Sequence, residues 1–313
     1  MKTEKIKLYE NRDDVTLTTY VLDDSPEMLN GKNRPAVLIC PGGAYMSCSD
    51  REGEPVALRF ASMGYHAFVL RYSTYGEGQP MFFPEPGKKL EPKAHCKYPN
   101  PMREIGMALT IISEKSDEWL VEKEKIAICG FSAGAHNCAM YGAYWNTPII
   151  ENGVKPAAVI LGYPLSDYVF MSETVMEDPM AAGLFMASNT AFFGKSEWTR
   201  EDLELASPAR NITSDMPPTY IWTTSEDSLV PVQHSIRLAH ALADKKIPFE
   251  LHIFENGPHG LGLADQSTAA AISSIYPEVS EWVPMAETWL NKRFSLDLPA
   301  KTVWEIMEEQ GKL

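Results

Sequence analysis

Apolar and polar positions alternate in two rhythms along this chain. Residues 15–22 are β-branched with period-two alternation, which predicts a half-exposed strand. Residues 36–40, 66–72 and 157–163 are short continuous apolar runs, as expected for strands covered on both faces. Residues 219–224 and the alternating stretch 249–254 add two more strands, the latter near a sheet edge. Between them, residues 54–63, 102–116, 232–245 and 279–293 carry apolar side chains at helical spacing. The first of these groups Val56, Phe60 and Met63 on one face, and the second Ile105, Leu109 and Ile112. Strands alternating with helices predict the α/β class: a mainly parallel sheet with helices on both faces.

Two stretches break the rhythm. Residues 74–101 hold six prolines and three glycines among several aromatics, which favours an ordered loop near the functional site. Residues 166–216 are rich in Met and Phe and read as a partly helical insertion, either a satellite core or a cap over a substrate. The tail, 297–313, has Trp304, Ile306 and Met307 on a short helix that could dock on the body or on a second copy, leaving a homo-oligomer open. No repeat or clean boundary divides the chain, so residues 1–313 are expected to form one domain carrying both insertions.

Composition narrows the function classes. The formal charge of −14 argues against nucleic acid and anionic membrane as partners. The five cysteines are odd in number and form no C-x-x-C pair, which argues against a disulfide framework or a zinc site. No apolar run reaches transmembrane length, and the first residues lack an apolar leader core. Cytoplasmic residence is the expectation.

The chemistry centres on residues 126–136. An apolar β-branched run leads into Gly130-Phe131-Ser132-Ala133-Gly134, followed by a small-residue helix start. This fits G-x-S-x-G, a strand–turn–helix elbow that exposes a serine hydroxyl above a sheet edge. Its glycines permit a strained turn and a close strand–helix approach. The pentapeptide alone arises by chance in about one in ten chains of this length, so its context decides.

A serine nucleophile needs a base, and the base an orienting acid. Of seven histidines, His259 follows the last strand in a loop of turn formers. His136 lies one turn into the elbow helix and is expected to pack or bond locally; His66 and His252 lie within strands. His234 and His240 are expected on a surface helix, and His95 in the proline-rich loop. For the acid, Asp227 stands just past the strand ending at Thr224, with Glu226 and Asp167 as rivals. Catalytic groups of parallel sheets gather at the carboxyl ends of strands. Pro41-Gly42-Gly43-Ala44-Tyr45 follows the 36–40 strand, where backbone amides would stabilise an oxyanion. The expected donors are Ala133 with Gly43 or Ala44. Tyr45, Phe131 and Tyr75 are the expected substrate contacts.

These motifs together resemble the esterase/lipase group with the α/β-hydrolase fold, nearest to its acetyl-xylan-esterase-like branch. Further matching stretches are residues 52–57, 67–72, 98–101, 227–231 and His259-Gly260. The resemblance implies a serine carboxylesterase acting on short acyl esters, acetyl above all, of plant-derived poly- or oligosaccharides, without metal or cofactor. Departures are Pro41 in place of the lipase histidine and the two long insertions. Rival readings are an arylformamidase or peptidase-like acyl hydrolase, and a silent fold used only for binding.

Overall fold

The computed structural model describes residues 1–83 and 89–312. Among them, eight strands form one sheet: β1 (Lys5–Tyr9), β2 (Arg12–Tyr20), β3 (Arg34–Cys40), β4 (His66–Arg71), β5 (Val121–Phe131), β6 (Ala158–Gly162), β7 (Thr219–Thr224) and β8 (Phe249–Phe254). The helices are α1 (Glu54–Ser62), α2 (Asn100–Glu114), α3 (Ser116–Trp119), α4 (Ala133–Tyr144), α5 (Tyr168–Glu173), α6 (Pro179–Phe193), α7 (Arg200–Leu205), α8 (Pro208–Asn211), α9 (Gln233–Asp244), α10 (Pro277–Ser280), α11 (Trp282–Phe294) and α12 (Val303–Glu309). No helix among the described residues is long and apolar enough to cross a membrane.

The sheet order is β1-β2-β4-β3-β5-β6-β7-β8. Strands β4 through β8 pair in parallel, while β1 and β2 add an antiparallel edge. The α/β class read from the sequence is therefore the one observed. β1 was not expected, although Lys5-Ile6-Lys7-Leu8 alternates polar and apolar; a run this short is placed by its pairing with β2. β5 also starts at Val121, well before its apolar core.

Pleating splits each central strand between two cores. Ala36, Leu38 and Cys40 of β3 face α2, α4 and α9, whereas Val37 and Ile39 face α1 and α11. All seven residues of β3 are buried, as the continuous apolar run demands. Every residue of α4 is buried, so its run of Ala and Gly reflects close packing rather than an amphipathic face. Leu58 and Ile236, at apolar helix positions in the sequence, are exposed. All five cysteines are free and buried.

The 166–216 insertion is mostly helical, comprising α5 to α8. The 74–101 segment contains no helix or strand before α2 among its described residues, and residues 84–88 lie outside them. The tail carries α12, on which Trp304 is exposed.

Candidate active site

Five strand ends converge. β5 ends at Phe131, and Ser132 caps α4 with φ +51° and ψ −119°, a strained geometry for a residue bearing a side chain. The glycines explain why the turn holds. A Cβ on Gly130 would stand 2.3 Å from the carbonyl oxygen of Gly134, and one on Gly134 would stand 2.0 Å from that of Cys40. Neither position tolerates a side chain without moving backbone.

Ser132 Oγ lies 2.7 Å from His259 Nε2, and His259 Nδ1 lies 2.6 Å from Asp227 Oδ2. A carboxylate only accepts, so Nδ1–H donates to Asp227 and neutral Nε2 accepts the Ser132 hydroxyl proton. Asp227 Oδ1 in turn accepts from the amides of Leu229 (3.0 Å) and Val230 (2.8 Å). Burial disfavours the charged imidazolium of His259, but the charge and hydrogen bond of Asp227, with the charge of Glu52, outweigh it. The His259 pKa is raised above the ordinary imidazole value.

The rival acids have other partners. Glu226 accepts from the amide of Gly257. Asp167 caps α5 through Phe170 N and pairs with Arg210 at 2.8 Å. Burial works against its charge, yet Arg210, the Phe170 amide and Arg237 hold its carboxyl below the usual range.

The Pro41–Tyr45 loop lies against the serine. Gly43, Ala44 and Tyr45 are consecutive residues at positive φ. Among the described residues, the amides of Gly43, Ala44 and Ala133 donate to no protein acceptor. Ala44 and Ala133 line the same cavity as Ser132. The cavity measures ≈ 50 Å³ and is walled by Tyr45, His136, Leu165, Tyr168, Met171, Leu184, Phe185, Ser188, Leu229 and Val230. Two larger surface clefts, one at Arg12 and His95 and one at Arg59 and Glu287, include none of Ser132, Asp227 and His259.

Of the three expected substrate contacts, Tyr45 lines the cavity and two do not. Phe131 shares the parity of Ala127 and Cys129 in β5, so it points into the opposite core, against Tyr163 and Trp282. That alternation was available in the sequence. Tyr75 packs on Phe82 and lies under the Lys93 ammonium, 4.5 Å from its ring centre, away from the cavity.

The other histidines divide by burial. His136 is buried and structural, as expected: Nε2 donates to the carbonyl of Ala206 (2.8 Å), leaving Nδ1 to accept from the Tyr45 hydroxyl (2.6 Å). Burial pushes its pKa down to about 4, partly offset by the Ala206 carbonyl. His234 is not on a surface but fully buried, where Nδ1 accepts from the amides of Ser166 and Asp167. The α9 pattern is amphipathic around it, and polarity hid the fact that it braces the loop after β6. His95 bonds the carbonyl of Thr74. Among the described residues, no group of three or more His, Cys, Asp or Glu is placed to hold a metal ion.

One participant lies in the matching stretch 52–57, where nothing in the residues alone assigns it a role. Glu52 is 3% exposed and sits behind the site, where Oε2 accepts from Gly42 N (2.7 Å) and Oε1 from the Tyr163 hydroxyl (2.5 Å).

Comparison with known proteins bears on the family and the fold. The BD-FAE family model matches residues 90–242. The chain is 30% identical over 240 residues to endo-1,4-beta-xylanase B of Butyrivibrio fibrisolvens, a match covering 74% of this chain and 33% of that protein. It spans between 33% and 54% of the length of the curated relatives it matches. Among solved structures, an acetyl ester-xyloside bifunctional hydrolase from Caldicellulosiruptor lactoaceticus superposes with a TM-score of 0.71 at 28% identity, over 92% of this chain and 96% of that one. MGS-M1, an α/β hydrolase enzyme from a Medee basin deep-sea metagenome library, matches at 31% identity and TM-score 0.69, over 93% of this chain and 97% of that one. Shared sequence and topology over nearly the whole of that enzyme mean that the chain belongs to the esterase-like α/β hydrolases.

Proposed function

We propose that the protein is a serine carboxylic-ester hydrolase that removes short acyl groups, acetyl above all, from plant-derived oligosaccharides. The observation that carries this reading is the hydrogen-bonded line from Ser132 through His259 to Asp227 at the mouth of a cavity with unpaired amides.

The chemistry follows from the donors and acceptors. His259 Nε2 takes the hydroxyl proton as Ser132 Oγ bonds to the ester carbonyl carbon. Asp227 keeps its charge and stabilises the imidazolium. The carbonyl oxygen becomes an oxyanion facing the amides of Ala133 and of Gly43 or Ala44; one such donor lowers the barrier by ~3 kcal/mol. As the intermediate collapses, the C–O bond to the alcohol breaks and the imidazolium gives its proton to the departing sugar oxygen. Water then repeats the cycle on the acyl-serine, with His259 as base, and the acid leaves.

The cavity supports a short acyl group. A space of ≈ 50 Å³ beside Ser132 holds a few water-sized volumes, which suits an acetyl group. Leu184, Phe185 and Ser188 of α6 line it with Tyr168 and Met171 of α5, which supports a capping role for the 166–216 insertion. The sugar side rests on two relatives whose names carry xylan or xyloside chemistry. A panel of acetylated xylo- and manno-oligosaccharides beside aryl acetates tests it. Acetate release from the sugars with single-adduct labelling by a fluorophosphonate is expected; failure to label and failure to release acetate from any substrate would sink it.

A further inference from the structure

The 3-10 turn Asp50–Glu52 touches both halves of the site without entering it. Glu52 reaches forward to the loop that carries the free amides, accepting from Gly42 N. It reaches sideways to the Tyr163 hydroxyl, which itself accepts from Gly262 N at 2.9 Å, three residues past His259. Arg51, its neighbour, donates to the carbonyls of Gly260 (3.0 Å) and Thr268 (3.1 Å). So one short turn grips the amide-bearing loop on one side and the imidazole-bearing loop on the other.

The geometry leaves little slack. A Cβ on Gly42 would stand 2.8 Å from Glu52 Oε2 and 2.9 Å from Ser132 Cβ, so Gly42 is wedged between carboxylate and nucleophile. Tyr163 is held at φ +40°, a conformation that a side-chain-bearing residue keeps only when its surroundings over-determine it. Its ring lies 4.8 Å from that of His259, edge-on.

We propose that Glu52 is a positioning residue, which sets the distance between the oxyanion amides and the general base through Gly42 on one side and Tyr163 on the other. This rests on the ester-hydrolase reading. Its carboxylate has a second effect, because its negative charge favours the imidazolium of His259. Asp227 from the β7 loop, Glu52 from the 3-10 turn and the Tyr163 ring after β6 act on that imidazole, while Arg51 and Glu226 bond the backbone of its loop at Gly260 and Gly257. Of these, Glu52 is the one that also bonds the amide loop.

The test compares Glu52→Ala, Glu52→Gln and Tyr163→Phe with the native enzyme on p-nitrophenyl acetate, with circular dichroism as the check on folding. Glu52→Ala is expected to lower kcat about 100-fold with KM within about twofold, since it frees a loop that acts in the transition state. Glu52→Gln keeps an acceptor for Gly42 N, so it should recover part of kcat. Both should move the acid limb of the pH profile downward, by about half a unit, through loss of the charge. If Glu52→Ala does not fold, Tyr163→Phe carries the test with an expected kcat loss of about tenfold at unchanged KM. A folded Glu52 variant with native kcat and an unmoved acid limb overturns the proposal. So does a loss of activity that glutamine does not rescue at all, or, where Glu52→Ala does not fold, a fully active Tyr163→Phe. Native enzyme that neither turns over the ester nor takes up a fluorophosphonate would instead remove the esterase reading beneath it.

Discussion

The Tyr45 hydroxyl donates to His136 Nδ1 across 2.6 Å, tying the residue after Ala44 to the helix that Ser132 caps. Both groups are buried, and His136 is anchored in turn to Ala206 in the insertion. The bond spans from the strained amide loop to the elbow helix. Tyr45→Phe leaves an imidazole nitrogen buried without a partner, which costs ~1–3 kcal/mol. A Tm lower by several degrees and a kcat reduced about tenfold on p-nitrophenyl acetate are expected, since Ala44 loses its brace. Native Tm with native kcat would show the bond to be idle.

Asp227 and Asp167 separate cleanly by partner. Asp227→Asn breaks the charge that orients and stabilises the His259 imidazolium and is expected to lower kcat by about 10⁴-fold. Asp167→Asn keeps the cap on α5 but loses its pairing with Arg210 and Arg237. It should lower Tm and leave kcat within a few fold. Steady-state kinetics of the two variants decide the matter, and a reversed ranking would move the acid to Asp167.

The pH profile of activity has a stated sign. The base must be neutral, and the His259 pKa is raised. The acid limb of kcat/KM should therefore bend above the ordinary imidazole value of about 6.5. Asp227→Asn should move that bend downward. A limb below pH 6 in the native enzyme contradicts the geometry.

Stability has its own pH dependence. Burial pushes His66, His136 and His234 down to about 4. Between about pH 4 and 6.5 the unfolded chain binds those protons and the folded one does not, so stability falls on acidification there. Glu104 acts oppositely: burial raises it to about 7 despite Ser73 and Arg12, so its contribution is lost as pH rises from the ordinary carboxyl range to about 7. His259, raised, loses its contribution above neutrality. Three imidazoles exceed one carboxyl, so unfolding near pH 5.5 should take up about two protons, read from the slope of ΔG against pH in urea titrations. A flat slope there would contradict the buried neutral assignments.

Acyl selectivity should reside in the wall of α6. Phe185 lines the cavity beside Leu184 and Tyr168. Phe185→Ala is expected to raise the ratio of kcat/KM for hexanoate to acetate about tenfold or more, since each methylene admitted to an apolar pocket is worth about that much. An unchanged ratio across p-nitrophenyl acetate, butyrate and hexanoate would place the acyl group elsewhere.

Much of this architecture is legible from one strand-and-helix rhythm. The elbow, Asp227 and His259 all sit where parallel strands end, so order and placement brought Ser132, Asp227 and His259 into one frame before their distances were known. Other features depend on partners far along the chain. β1 is ordered by β2, and the short alternation of Lys5–Tyr9 does not by itself name that partner. Glu52 falls in the matching stretch 52–57, but its role appears only once Gly42 and Tyr163 bond to it. His234 reads as surface until Ser166 and Asp167 donate to it. Phe131 is the instructive case, because strand parity already pointed it away from Ser132.

The five enclosed thiols make the chain a reporter of its own opening. Burial pushes the thiols of Cys48, Cys96, Cys129 and Cys138 up, so they hold little of the nucleophilic anion at neutral pH. Cys40 sits at the end of β3 directly before the amide loop, and Cys129 three residues before Ser132. An alkylating reagent counted by mass spectrometry would thus read, cysteine by cysteine, how often each part of the sheet breathes. Occupancy of the acyl cavity should slow the clock at Cys40 and Cys129 more than at Cys96.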